Sequence, residues 1–138
     1  DLIDMTSNDY NYDVGLTAYG EAGNDTIWAT QLSDTIYGGE GNDTIFGGGG
    51  DDALYGGSGS DTFEFAINSG SDTIYDFNLT EDSLLFYARK DFNSYNSDDG
   101  MDGVTLSAGV VSWEDVSIDI SNTQITSLDE LDIEFYYI

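Results

Sequence analysis

The sequence contains no cysteine, no histidine and no proline, and it has two basic residues against 28 acidic ones. Without cysteine there are no disulfides and no thiolate sites. Without histidine as well, the usual zinc and copper ligand sets are excluded. An enzyme would have to work with carboxylate pairs or a bound metal alone. Among 28 acids some pair always sits at a suggestive distance, so no catalytic residue is assigned and an enzyme is not expected. The two bases, Arg89 and Lys90, are adjacent, and the formal net charge is −26. Such a polyanion is repelled by nucleic acid and by anionic membranes, and neither is expected as a partner. No apolar run approaches membrane-spanning length, and no signal peptide opens the chain. The first residue is Asp1 rather than methionine, so a larger parent polypeptide is expected upstream.

What is present is a repeat. Residues 38–64 read GGEGNDTIF GGGGDDALY GGSGSDTFE, three nine-residue units of form G-G-x-G-x-D-x-U-x with U a large apolar residue. The first six positions are too glycine-rich for helix and too bent for strand, and glycine tolerates the positive φ of tight turns. Such a turn can point main-chain carbonyls inward, and the aspartate adds a carboxylate. Hard oxygen ligands of both kinds suit Ca²⁺. The following x-U-x is a short strand with one inward side chain. The register extends upstream through GEAGNDTIW (Gly20 to Trp28) and the degenerate ATQLSDTIY (Ala29 to Tyr37). Asp25, Asp34, Asp43, Asp52 and Asp61 form one column, and Ile27, Ile36, Ile45, Leu54 and Phe63 another. A flexible Gly/Asp-rich linker has no reason to place an apolar residue at every ninth position.

These units resemble the RTX (repeats-in-toxin, haemolysin-type calcium-binding) β-roll family. The stretch from Ser69 to Phe86, SGSDTIYDFNLTEDSLLF, resembles the segment that often follows the last repeat there. The resemblance implies an all-β fold, a right-handed parallel β-roll (solenoid) with a flanking β-rich C-terminal cap. It also implies several Ca²⁺ ions, each held between turns n and n+2 by two motif aspartates and by carbonyls near the first four motif positions. On one edge this pairs Asp25 with Asp43 and Asp43 with Asp61. The carbonyl donors there would come from Gly20, Ala22, Gly23, Gly38, Gly39, Glu40, Gly41, Gly56, Gly57, Ser58 and Gly59. On the other edge it pairs Asp34 with Asp52, with donors from Gly47, Gly48, Gly49 and Gly50. Thr30, Gln31 and Leu32 stand where glycines would be, so the turn at 29–34 is expected to bind weakly or to act as a cap. Asp72 is a further candidate ligand, displaced from the phase by two residues. Roughly three to five ions are expected, since each needs six or more oxygens.

A net charge of −26 opposes compaction. The expectation is a chain disordered without divalent cations and folded with them. Ten tyrosines, seven phenylalanines and two tryptophans argue against a permanently disordered acidic tail. Residues 1–19 read as N-terminal rungs or a cap, with Asp9 and Asp13 as surface turn acids rather than ligands. Residues 20–64 are the roll. Residues 65–138 are a capping region whose apolar-acidic end resembles the C-terminal signals of type I secretion. Within it, 93–103 reads as a polar loop, Val116 to Ile120 and Gln124 to Thr126 as strands, and Ser127 as the N-cap of one helical turn before an alternating end. Motif position nine, with Trp28, Tyr37, Phe46 and Tyr55, should face outward on alternate sheets.

The function expected is that of a calcium-binding module of a larger secreted or cell-surface bacterial protein, folding after export. Its partners would be the parent polypeptide and a type I secretion apparatus. The alternatives are a polysaccharide-binding module like those attached to alginate epimerases, or the end of a surface adhesin. The negative charge disfavours an acidic polymer.

Overall fold

A nine-residue period with one inward apolar residue makes successive units fall on opposite walls of a flattened tube. The computed structural model describes residues 1–6, 14–88, 105–113, 116–121 and 123–137. Asp9, Asp13, Arg89, Lys90 and the expected loop at 93–103 lie outside the described residues. Strands β1 (Leu2–Asp4), β2 (Thr17–Ala22), β3 (Thr26–Trp28), β4 (Thr35–Glu40), β5 (Thr44–Phe46), β6 (Ala53–Ser58) and β7 (Thr62–Ala66) fall alternately on the two walls. They are followed by β8 (Ser71–Ile74), β9 (Ser83–Ala88), β10 (Thr105–Ser107), β11 (Val110–Trp113), β12 (Val116–Asp119) and β13 (Asp132–Tyr137). One sheet runs β1-β3-β5-β7-β9-β13, and the other β10-β11-β12-β8-β6-β4-β2.

Neighbours in each wall of the roll are parallel and stand eighteen residues apart, as in Ile27↔Ile45 and Ile36↔Leu54. This is a parallel β-solenoid. Its core is two facing columns, Ile27, Ile45, Phe63 and Leu84 against Ala18, Ile36, Leu54 and Ile74, all buried. One inward side chain per nine residues is a thin core, and glycine-rich turns lose more conformational entropy on folding than other backbone. The corners therefore decide whether the fold holds.

Two features depart from the sequence expectation. The strands β4 and β6 run six residues and include the first glycines of the next turn, because the ladder continues through Gly39↔Gly57 and Glu40↔Ser58. Residues 124–126 form no strand. Thr126 instead gives its amide and hydroxyl to Glu130 Oε1, at 3.0 and 2.8 Å. Those bonds anchor a 3₁₀ turn, Leu128–Glu130, whose N-cap is Ser127, as expected. The C-terminal part extends the same two walls, since β12 pairs with β8 and β13 with β9, both parallel. The antiparallel strands β11 and β10 then end one wall. Phe135 stacks on Phe86 at 5.3 Å between centroids. Among the described residues no helix is long and apolar enough to cross a membrane.

Candidate metal centre

Each motif aspartate ends its turn and points back inside it. Asp25, Asp34, Asp43, Asp52 and Asp61 are all buried, none more than 3% exposed. The inner oxygens of Asp34, Asp43, Asp52 and Asp61 each accept a main-chain amide, whereas Asp25 Oδ1 accepts none. Asp25 N donates to Asp43 Oδ1 at 2.8 Å, and Asp43 N to Asp61 Oδ1 at 2.9 Å. On the opposite edge Asp34 N donates to Asp52 Oδ1 at 2.8 Å. The pairings expected from the sequence are therefore brought together as backbone-to-carboxylate contacts between turns.

The column is longer than the repeat. Asp52 N donates to Asp72 Oδ1 at 3.0 Å and Asp61 N to Asp82 Oδ1 at 2.9 Å, and both acceptors are buried. Asp72 thus stands in register although its unit is two residues longer. Asp82 escaped the sequence reading because a further unit of irregular length precedes it. Leu16 occupies the corresponding place upstream and donates its amide to Asp34 Oδ1 at 2.6 Å. The main-chain nitrogen of Asp1 lies 2.8 Å from Asp25 Oδ1.

The outer oxygens divide the turns into two kinds. Oδ2 of Asp25, Asp43, Asp52, Asp61 and Asp72 is buried and has no hydrogen-bond partner. Asp34 Oδ2 instead accepts from Thr30 N at 2.8 Å and Thr30 Oγ1 at 2.7 Å. Asp82 Oδ2 accepts from Asn78 N at 2.8 Å. A buried carboxylate oxygen without a partner is costly, and it either takes a proton or accepts a cation.

The glycines explain the shape of the space beside those oxygens. A Cβ at Gly20 would meet Asp25 Oδ2 and Gly38 O, and one at Gly38 would meet Asp43 Oδ2 and Gly56 O. The missing side chain at motif position one therefore leaves a cradle shared by a carboxylate oxygen and a carbonyl from the turn eighteen residues on. At positions two and four the glycines serve the turn itself. Gly39 and Gly41 have φ of 119° and 128°, and a Cβ on either would strike a carbonyl of the turn before. Glu21, at position two of its unit, takes a φ of 74° that L-residues rarely adopt.

Other predicted positions play different parts. The Glu40 and Ser58 carbonyls already accept the amides of Gly23 and Gly41, at 2.7 and 2.8 Å. Ala22 is exposed, and a Cβ at Gly23 would meet nothing within 4 Å. In the second-edge turn 47–52, a Cβ at Gly47 would meet Asp52 Oδ2, while Gly48 and Gly50 lie against main chain of the turn 29–34. Gly57 and Gly59 likewise rest on carbonyls of Gly39 and Gly41. Motif position five was read as arbitrary, yet it forms its own ladder: Asn42 N to Asn24 Oδ1 at 2.9 Å, then Ser60 N to Asn42 Oδ1 at 3.1 Å. The recurrence of Asn24 and Asn42 was the available signal.

Burial raises the carboxyls of Asp43, Asp52, Asp61, Asp72 and Asp82. It pushes Asp52 up to about 8, opposed by the Asp34 amide and reinforced by the Asp72 carboxylate. Asp72 rises to about 7 and Asp61 to about 6, again chiefly through burial. Asp43 and Asp82 are raised for the same reason. Among the described residues no three acidic side chains converge on one point. A cation here would be held by a pair of carboxylates completed by main-chain oxygens. That donor set is hard and flexible, which suits calcium better than the tight octahedron of magnesium.

Position nine faces outward as expected. On one wall Tyr19, Tyr37, Tyr55 and Tyr75 stack with centroids 5.0, 4.6 and 4.9 Å apart, nearly parallel. Their flat faces cover one another, and the end rings Tyr19 and Tyr75 are the most exposed, at 62% and 50%. A sugar stacks on an open ring face, so this ladder offers its edges rather than a platform.

Parallel walls joined by glycine corners, with buried and unpartnered carboxylate oxygens along both edges, define a β-roll. The family model of the RTX calcium-binding nonapeptide repeat matches residues 17–31 and 28–63, in four copies. Over that stretch the chain is an RTX β-roll, a structural calcium-binding repeat type found in secreted proteins. No curated protein matches the chain.

Proposed function

We propose that this chain is a calcium-gated folding module of a secreted bacterial protein. It would leave the cell unfolded through a type I apparatus, then fold outside and stabilise the polypeptide it is part of. The observation that carries the reading is the row of buried, unpartnered Oδ2 atoms on Asp25, Asp43, Asp52, Asp61 and Asp72. Asp25 with Asp43, Asp43 with Asp61 and Asp52 with Asp72 would hold the ions, together with carbonyls such as those of Gly38 and Gly56. Bound calcium would supply positive charge, and accept oxygen ligands, in repeats that contain no basic residue. Roughly three to five ions would offset part of a net charge of −26.

The gate follows from affinity. Extracellular calcium modules bind at roughly 10⁻⁴–10⁻³ M, far above cytosolic calcium. Inside the cell the acidic corners repel one another and the thin core cannot close. Outside, the energy of binding is the energy of folding. The role is structural, without catalysis. Far-UV circular dichroism tests it. Chelated protein should be disordered and millimolar Ca²⁺ should yield a β spectrum, with Mg²⁺ a poor substitute. A chelated sample at neutral pH that keeps its full β signal would refute the reading.

A further inference from the structure

The corners make no use of the tyrosine wall. Tyr19, Tyr37 and Tyr55 are in-register partners on β2, β4 and β6. Neighbouring strands lie about 4.8 Å apart, and the rings keep that spacing. Tyr37 and Tyr55 are the tightest pair, with centroids 4.6 Å and planes 15° apart. Their hydroxyls are hydrogen-bonded to each other. Two phenols held this way have the ring carbons ortho to oxygen side by side. The pair on the other wall is different. Tyr87 meets Tyr136 edge-on, with centroids 5.8 Å apart, and donates its hydroxyl to Glu64 Oε2 at 3.0 Å. The ladder faces outward, within reach of a small oxidant. The chain has no cysteine or histidine to intercept that oxidant, and a net charge of −26 favours loss of an electron from a neutral ring.

We propose that the ladder is a site of oxidative cross-linking, where Tyr37 and Tyr55 couple into a dityrosine that staples β4 to β6. The co-reactant is a one-electron oxidant of the peroxidase or photosensitiser class. Each phenol gives one electron to the oxidant and its hydroxyl proton to water, which leaves a neutral phenoxyl radical. The two radicals join by one carbon–carbon bond between ring carbons ortho to oxygen. The hydrogens on those carbons shift to the two oxygens, so both phenols are restored and the pair is two hydrogens lighter. Coupling tips the rings out of parallel, for which the solvent side of the wall leaves room. The reaction needs the closed wall and not a bound ion, so it stands apart from the calcium reading. The new bond joins residues eighteen apart and constrains the unfolded chain as a disulfide would.

Photo-oxidation of the whole folded chain with tris(bipyridyl)ruthenium, persulfate and visible light tests the assignment. The sample is held in millimolar Ca²⁺ and its β spectrum is recorded first. Monomer is then isolated, digested at acidic residues and read by mass spectrometry. The main intrachain product should join the Tyr37 and Tyr55 peptides, and in urea that preference should vanish. Tyr55→Phe keeps the ring and the stack, so it should fold as the parent does and lose this link. Tyr136→Phe, on the other wall, should keep it. The stapled monomer should melt roughly 10 °C above the parent in the same buffer. Dityrosine found only between chains, or intrachain links spread without preference in the folded sample, would overturn the proposal. A Tyr37–Tyr55 link equally abundant in urea would overturn it too, because the stack would then have no part in the coupling.

Discussion

Asp43 separates the two tasks of a corner aspartate. Its Oδ1 holds the Asp25 amide at 2.8 Å, and its Oδ2 is unpartnered beside Gly38. Asp43→Asn preserves the shape and an oxygen for the amide but removes the charge. Asp43→Ala removes both. Asp43 lies between Asp25 and Asp61, so the Asn variant takes a charged oxygen from two corner spaces. A tenfold loss at each is about 1.4 kcal/mol per ion. The calcium midpoint of folding should rise accordingly, further than for Asp25→Asn or Asp61→Asn. The Ala variant also strands a buried amide, at about 1–3 kcal/mol more. At saturating calcium that should lower Tm by roughly 3–15 °C below the Asn variant. Asp34→Asn is the internal control for ion number rather than for stability, since both its oxygens already accept N–H donors, from Leu16 and Thr30, and the new amide nitrogen would face one of them. Calcium titration by circular dichroism and thermal scans read both effects. An unmoved midpoint in Asp43→Asn, or the loss of a bound ion in Asp34→Asn by native mass spectrometry, would refute the division of roles.

The column also makes the metal-free chain sensitive to pH. Folded Asp52, Asp72 and Asp61 are raised to about 8, 7 and 6, against about 3.9 in an unfolded chain. Raised carboxyls favour the fold fully below the unfolded value and lose that favour as pH climbs through the folded values. Chelated protein should therefore hold more β structure near pH 4 than near pH 8, and calcium should bind more weakly in acid; dichroism with the opposite trend would count against the buried column. Thr30→Ala removes one of the two bonds to Asp34 Oδ2 and the hydroxyl that accepts from Leu32 N, and should cost about 1 kcal/mol for each, seen as a lower Tm in calcium. Gly38→Ala places a methyl against Asp43 Oδ2 and Gly56 O and should abolish binding at that corner. Gly23→Ala has open space but a φ of 115°, so isothermal titration should find its sites intact and its stability lower by about 1–2 kcal/mol.

The regular part of the roll was legible because its chemistry is local. Every ninth residue must face the core, and every corner ends in an aspartate, with glycines in all but the 29–34 turn, so Asp25 to Asp61 and Ile27 to Phe63 could be counted. Counting fails once the period changes. The insertion at Asn68 bulges out of the corner and returns Asp72 to the column, and phase arithmetic cannot tell such a bulge from a break. Asp82 was hidden in the same way. The saturation of Asp34 by Thr30 was invisible for another reason. A threonine at a glycine position reads as decay of the motif, whereas its hydroxyl and amide occupy the carboxylate. The C-terminal strands showed their alternation, but not that β12 and β13 would rejoin the two walls, because sheet partners distant in sequence leave no periodic mark.

The tyrosine ladder gives the wall its own optical signature. Tyr19, Tyr37, Tyr55 and Tyr75 are like chromophores held nearly parallel at about 5 Å, one per rung. Their transition dipoles couple, so absorption near 280 nm belongs to the stack rather than to single rings, and its dichroism grows as rungs are added. Excitation taken up by one ring can migrate along the row. Closure of this wall can thus be followed rung by rung in the near ultraviolet, separately from the backbone signal of both walls, and without a label.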